Sequence, residues 1–344
     1  MPESPMLESS DIRIGLIGFG SWAINAYLPA LSLIPGVRVA GAAGRSEATR
    51  AAARDALSRE ALVAADYRDL LEADVVDALM LAVTEDQHVE VIASAIASGL
   101  PVFYEPPLAD RRGEIKGEIG RLISATQVTH ADLELSYLPV IDRAASLLAE
   151  GVIGVPQTAS VTMTSGWGPI DGADISLSLQ LIPWYVDPLN RVLGRQPRRV
   201  LVQDGAGVAG RMQSRALTQL DYGGVWGAFD ANIESVGELG AWIEIGGSDG
   251  DLRIDLFRGE LRLRSRKRPE WRDETHLARQ PHAGWPGMHE SVQAFIDAVR
   301  TGNESRTGSA VMAGLHMTGL AAEESIDSGT WAVVGPAPDS GRAP

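Results

Sequence analysis

The run Ile12-Arg13-Ile14-Gly15-Leu16-Ile17 breaks into Gly18-Phe19-Gly20-Ser21-Trp22-Ala23. A strand-length apolar run, two glycines one residue apart and a small residue three positions on restrict the chain to strand, tight turn and helix. Gly18 lets the chain turn, Gly20 offers no Cβ to an approaching pyrophosphate, and Ala23 lets helix and strand pack closely. The helix N-terminus adds unpaired N–H groups and a partial positive charge. The segment therefore predicts a dinucleotide site, with Gly18, Phe19, Gly20, Ser21 and Trp22 around the phosphates. A tight turn with no ligand would use the same glycines; the repeating pattern behind them favours the ligand.

That pattern alternates. Strands are expected at Val37–Ala43, Val75–Val83 and Pro101–Tyr104, and helices at Ala26–Leu33, Ser46–Leu57, Gln87–Ser98 and Arg111–Ser124. Such alternation means right-handed βαβ units, a parallel sheet, and ligands at the carboxyl ends of its strands. From about Gln157 the pattern becomes period two, in Gln157–Thr164, Arg199–Gln203, Ala216–Tyr222, Val225–Ile233, Ala241–Ile245 and Leu252–Phe257. Strand after strand, separated by glycine-rich turns, predicts a largely antiparallel sheet. An amphipathic stretch, Ser176–Leu193, precedes the later strands, and helices close the chain around His289–Arg300 and Ser309–Ser328. The fold class is α/β: a doubly wound parallel Rossmann sheet over 11–128, then an α+β domain with an open, largely antiparallel sheet over 129–334. The closing helices are free to pack back on the first domain. Residues 1–10 and 335–344 are expected to be disordered.

Bulk properties narrow the class. The 344 residues carry a net charge of −15, contain no cysteine and are 45% hydrophobic. An acidic surface disfavours nucleic acid and anionic membrane as partners. Without cysteine there are no disulfides, thiolate nucleophiles or cysteine-held metals. The first ten residues lack the apolar core of a signal peptide, and no apolar run approaches a membrane span, so a cytoplasmic protein is expected. His276, His282, His289 and His316 show no metal-ligand spacing, and no metal is expected. Arg262–Arg272 reads as a solvated hairpin.

Five segments together resemble the Gfo/Idh/MocA family, the glucose–fructose oxidoreductase and inositol dehydrogenase group. They are the fingerprint above, Leu81–His88 running on through Gly99–Ala109, Leu147–Gly154, Ile243–Leu252 and Ala322–Thr330. The resemblance spans about Ile12 to Val334. It implies an open sheet whose face covers the nicotinamide, hydride exchange with a sugar or cyclitol hydroxyl, and often a dimer made through the sheet. It also places Val83, Thr84, His88, Glu105 and Pro106 beside the cofactor; packing or capping by His88 and a backbone-anchoring role for Glu105 are the structural alternatives.

The departures concern the proton relay. The family's lysine falls at Pro106, which has neither ammonium nor N–H. Its aspartate and histidine on the first long helix of the second domain fall at Gln180 and Trp184, neither an acid or base near neutral pH. Its common Asn and Arg fall at Glu134 and Ser136. At the other end, the acid that holds the adenosine ribose is replaced by Gly44, followed by Arg45 and Ser46. A guanidinium without a carboxylate suits a 2′-phosphate, which points to NADP, with NAD possible.

Substitute chemistry is sought just past the last Rossmann strand, where His130, Asp132, Glu134 and Tyr137 cluster. His130 and Tyr137 are the candidate acid/base residues, against a packing role for each. Trp184, Gln180, Trp167 and Tyr104 are the candidate substrate-pocket residues, against a core role for the tryptophans. Three functions stay open: an NAD(P)-dependent oxidoreductase with a non-standard site acting on a specialised ketone, imine or sugar-like molecule; a nonredox NADP-binding regulator; and a lyase or cyclase reusing the fold. A homodimer or homotetramer is expected, because the long alternating strands present an apolar face that one layer of helices cannot cover.

Overall fold

The computed structural model describes residues 11–168, 174–204, 214–274 and 285–336. The expectations for residues 1–10, for most of the C-terminal tail and for His276 and His282 lie outside this set.

The chain begins with β1 (Ile12–Ile17), a helical segment with a π turn at Ala23–Tyr27, and its continuation α1 (Leu28–Ser32). Then come β2 (Val37–Ala43), α2 (Glu47–Ala56), β3 (Leu62–Ala64), α3 (Arg68–Glu72), β4 (Ala78–Leu81), α4 (Glu85–Ala97), β5 (Val102–Tyr104), α5 (Arg112–Ser124) and β6 (Thr129–Ala131). These strands form a parallel sheet in the order β3-β2-β1-β4-β5-β6. The order reverses between β1 and β4, which opens a crevice at their carboxyl ends. Helices on both faces bury the strands, and β4 is at most 2% exposed along its length. The sheet takes in Thr129–Ala131, three residues beyond the boundary expected at 128.

A 3-10 turn at Glu134–Tyr137 leads into α6 (Pro139–Ala149), β7 (Pro156–Thr164) and α7 (Leu177–Leu193). Ser176 caps α7 by accepting from the N–H of Leu179 at 3.1 Å. Next are β8 (Arg199–Asp204), β9 (Arg215–Asp221), β10 (Trp226–Asn232), β11 (Gly240–Gly247), β12 (Gly250–Asp255), β13 (Glu260–Ser265), β14 (Arg268–Asp273), α8 (Met288–Thr301), α9 (Ser309–Ser328) and β15 (Ala332–Val333). Among the described residues these strands form one sheet, β14-β13-β12-β11-β7-β10-β9-β8-β15. It is antiparallel throughout except for the β7–β10 pair.

One face of this sheet is covered by α6, α7 and α9, and Val161, Met163, Phe229, Ile243 and Ile254 are buried beneath them. The other face differs from expectation. Its residues are mainly polar or small, such as Thr158, Ser160, Thr162, Glu244 and Arg253, with Trp226 and Trp271 standing 56% and 37% exposed. Helices on one side already supply the apolar core, so the outer face alternates to polar. Arg262–Arg272 forms the exposed β13–β14 hairpin, tied by Arg262–Asp273 at 2.9 Å. Helix α8 turns back onto the first domain, where Val292, Phe295 and Ile296 pack with Ile14, Leu16, Tyr27 and Phe103.

Candidate active site

The two fingerprint glycines do different work. Gly18 has φ +86°, and a Cβ there would lie 2.2 Å from the Ala82 carbonyl oxygen on the neighbouring strand. The fold itself excludes a side chain at this position. Gly20 is exposed, and a Cβ there would meet no atom within 4 Å. Its open face borders a cavity of about 420 Å³ along the carboxyl ends of β1, β2 and β4. Of the expected cofactor residues, Gly18, Phe19, Gly20, Arg45, Ser46, Val83 and Thr84 line this cavity together. A floor without a side chain, beside the start of a helical segment, fits a pyrophosphate.

At the far end of the cavity stand Arg45, Ser46, Thr49 and the run Asp66-Tyr67-Arg68. A Cβ on Gly44, at the position of the family's ribose-binding acid, would sit 2.4 Å from Thr49 Cγ2, so a side chain there would have to displace Thr49. Ser46 caps α2, its Oγ accepting from Thr49 N at 3.0 Å. Arg68 is bound by Asp66 and Glu90, whereas Arg45 is exposed and has no carboxylate partner among the described residues. Sequence reading missed Asp66–Arg68 because β3 is three residues long, too short to show a period.

Toward β5 and β6 the character changes to acid. Glu105 leaves the end of β5; its Oε1 accepts from Trp22 Nε1 at 2.6 Å and from the Tyr27 hydroxyl. Asp132 leaves the end of β6, with its N–H donating to the Tyr104 carbonyl at 2.8 Å. The Glu105 and Asp132 carboxyls stand close enough for the charge of one to act on the other. Glu134 opens the 3-10 turn; its Oε1 accepts from Trp285 Nε1 at 2.7 Å. The Trp22 and Trp285 rings meet edge to face at 5.0 Å, so two indoles join two carboxyls.

Burial raises the pKa of Glu105 and drives that of Asp132 well above the usual carboxylate range, with the charges of Glu105 and Glu134 adding to the rise at Asp132. Glu134 is pushed up to about 8, first by burial and then by Glu105. No Lys, Arg or His lies within ion-pair distance of these three among the described residues. Tyr27, Trp285 and the linkage of the three acids were not legible beforehand, since their partners stand as many as 151 positions apart.

The structure places the two expected acid/base residues in the interior. His130 is 0% exposed, its Nε2 lies 3.0 Å from Ser291 Oγ and its Nδ1 2.8 Å from Ser305 Oγ. Its ring stacks on Phe103 at 4.8 Å and on Tyr137 at 5.5 Å. Burial lowers its pKa to about 3, so it is neutral at pH 7 and both ring nitrogens are taken. The Tyr137 hydroxyl pairs with Thr307 Oγ1 at 3.2 Å, with Arg306 over its ring. Both are core residues. Tyr104 is likewise fully buried in the core.

Gln180 and Trp184 lie on the face of α7 that meets the 3-10 turn, where Ser136 donates to Asp187 at 2.6 Å and Arg191 pairs with Asp187 at 3.0 Å. Gln180 is 4% exposed and its Oε1 has no partner; Trp184 is half-buried. Trp167 is 50% exposed and stands apart from both. His88 is a fastener: its Nδ1 lies 2.6 Å from Pro107 O and its Nε2 3.1 Å from Val83 O, tying α4 to the strap that carries Glu105. Pro106 is buried in that strap, with a cis bond to Pro107. Ser21 is exposed and lies outside the residues lining the cavity. No cluster of acids and histidines among the described residues has a geometry that could hold a metal ion, and no helix among them is long and apolar enough to cross a membrane.

Residues 12–129 match the oxidoreductase family with NAD-binding Rossmann fold, Gfo/Idh/MocA. A comparison with curated proteins finds no match. Among solved structures, levoglucosan dehydrogenase in complex with NADH and L-sorbose superposes with a TM-score of 0.82 at 18% identity, covering 95% of this chain and 100% of that one. An oxidoreductase from Agrobacterium radiobacter in complex with NAD+, L-tartaric acid and magnesium gives 0.79 at 19%, covering 95% and 99%. An oxidoreductase domain protein from Kribbella flavida gives 0.79 at 22%, covering 95% and 100%. These likenesses extend the shared fold to the second domain. What the comparisons show of this chain is therefore an N-terminal domain, residues 12–129, similar to the NAD-binding Rossmann domain of the Gfo/Idh/MocA oxidoreductases, and a fold shared along nearly its whole length with solved oxidoreductases.

Proposed function

We propose that this protein is an NADP(H)-dependent oxidoreductase that acts on a specialised small molecule, a ketone, an imine or a sugar-like compound, without the family's lysine-centred relay. The observation that carries the reading is the cavity with the open Gly20 floor at one end and Arg45 at the other. When bound, the dinucleotide would supply or accept a hydride at its nicotinamide carbon. Gly18 and Gly20 would set the pyrophosphate against the start of the helical segment. The Glu105–Pro107 strap at the end of β5 is held by His88. Pro106 donates nothing there, so any proton exchanged must involve other groups.

Three features support NADP over NAD: glycine in place of an acid at Gly44, with Thr49 packed against it; the exposed Arg45 guanidinium, without a carboxylate partner among the described residues; and the Ser46 and Thr49 hydroxyls beside it. Purified protein titrated by fluorescence is expected to bind NADPH more tightly than NADH. Arg45→Ala should weaken NADPH by about tenfold, the scale of one charge-assisted hydrogen bond, and leave NADH unchanged. Tighter NADH binding by the unaltered protein would overturn the preference.

The outer sheet face supports self-association. It holds a groove of about 510 Å³ near Gln219, Glu244 and the exposed Trp226 and Trp271. Tryptophans rimmed by polar residues are the usual composition of an interface core. Light scattering at micromolar concentration is expected to return a dimer or tetramer; a mass near 36.6 kDa would refute the assembly.

A further inference from the structure

We infer that Arg50 is a positioning residue for recognition of the 2′-phosphate: it fixes Arg45 through the backbone and keeps the nearest carboxylate away from it. This inference rests on the reading that the dinucleotide is NADP and that Arg45 meets its 2′-phosphate. Arg50 itself stands outside the residues that line the cavity. Its Nη1 donates to the carbonyl oxygens of Gly44 at 2.9 Å and of Arg45 at 2.8 Å. These two carbonyls belong to the peptide planes on either side of the Arg45 Cα. Tying both to one nitrogen restricts φ and ψ of Arg45, the only soft torsions its backbone has. The direction in which the Arg45 side chain leaves the chain is thereby set.

The local sequence makes this reach possible. Arg50 lies one turn into α2, which opens at Glu47, and helical side chains lean toward the N-terminus, over the preceding turn. Gly44 carries no side chain, so Thr49 packs directly on the end of β2. The first turn of α2 therefore lies close to Gly44 and Arg45. Arg50 crosses that short gap with only 18% of its side chain exposed.

The rest of the guanidinium has a second effect. Arg50 Nε and Nη2 donate to Glu47 Oε2 at 3.1 and 2.7 Å, and Arg54 Nη1 donates to Glu47 Oε1 at 2.8 Å. Glu47 is the acid nearest to Arg45 in the sequence, and pairing with it would cancel the charge a phosphate needs. Both Glu47 oxygens are instead engaged along the helix. Exposed pairs of this kind add little stability; what they decide here is which arginine is left for a ligand. Arg68, at the same end of the cavity, is held by Asp66 and Glu90. Arg45 alone of these arginines has no carboxylate partner among the described residues.

The test is fluorescence titration, with NADPH and with NADH, of the full-length protein, of Arg50→Lys, of Arg45→Ala and of the double variant. Lysine keeps the charge but lacks the planar fork that spans two carbonyls and a carboxylate, so the substitution isolates geometry from charge. Arg50→Lys is expected to weaken NADPH by about fivefold and to leave NADH unchanged, which lowers the ratio of the two affinities. NADH binding serves as the check that the variant is folded. Because Arg50 acts through Arg45, Arg50→Lys should add no further loss in the Arg45→Ala background. Equal weakening of both cofactors would make Arg50 a prop for the whole loop. An unchanged ratio would show that Arg45 needs no positioning, and losses that add in the double variant would show that the two arginines act separately. Each of these three results would overturn the inference. A failure of the NADP reading is distinguished from them because it appears before any substitution, as unaltered protein that binds NADPH no more tightly than NADH, and it overturns the inference as well.

Discussion

Gly20→Val is expected to abolish dinucleotide binding in a protein that remains folded, whereas Gly18→Val should fail to fold normally. The two positions are two residues apart in one loop, yet their surroundings are opposite. A Cβ on Gly20 meets open space, so valine is accommodated by the fold and projects into the phosphate path. Loss of the closest backbone–pyrophosphate approach should weaken NADPH by at least about 100-fold, roughly 3 kcal/mol. At Gly18 the new Cβ would overlap the Ala82 carbonyl at 2.2 Å, and the φ of +86° is strained for any β-branched residue. That combination should cost on the order of 3 kcal/mol or more of stability. Denaturant melts and fluorescence titrations on both variants separate the effects. A Gly20→Val protein that binds NADPH normally would show that the phosphates do not cross this loop.

Stability of the unaltered protein is expected to fall relative to Glu134→Gln as pH rises from about 4.5 to about 8. In the folded chain Glu134 is held at about 8 against its ordinary 4.5. Between those values the folded state keeps a proton that the unfolded chain has released. Unfolding then releases a proton, so raising the pH favours it. The stabilisation is complete below about 4.5 and lost as pH passes through about 8, with a slope of at most about 1.4 kcal/mol per pH unit. Glutamine carries no proton to lose. The variant should therefore gain on the unaltered protein by several kcal/mol across this range, read from denaturant melts at pH 5, 6.5 and 8. His130 and His316, lowered by burial to about 3 and about 4, act in the opposite sense, losing stability as pH falls below the usual 6.5. They are present in both proteins and cancel in the difference. A difference that stays constant with pH would place Glu134 in contact with water.

The acid trio also shows where linear reading stops. Glu105, Asp132 and Glu134 were visible in the sequence as residues near strand ends. Their roles depend on Trp22, Tyr27 and Trp285, which arrive from the glycine loop and from the segment before α8. His130 shows the converse. Its position after the last parallel strand suggested exposure at the ligand edge, but α8 and the loop before α9 close over it and supply Ser291 and Ser305 to its two nitrogens.

What the sequence determined by itself is local and periodic. Gly18, Gly20 and Ala23, the strand–helix alternation and the later period-two runs specify the Rossmann sheet and the second sheet, because backbone geometry and the burial period act over neighbouring residues. The mismatch of Arg45 and Gly44 with a ribose-binding acid was equally legible, as it concerns adjacent positions. The tertiary structure alone decided which polar residues meet. It set Gly44 against Thr49, closed His130 and Tyr137 into the core, turned the outer sheet face polar, and brought three acids together with no ion-pair partner among the described residues. Those outcomes depend on contacts between segments far apart in the chain, and burial converts each contact into a shifted pKa or an unpartnered atom that no local pattern encodes.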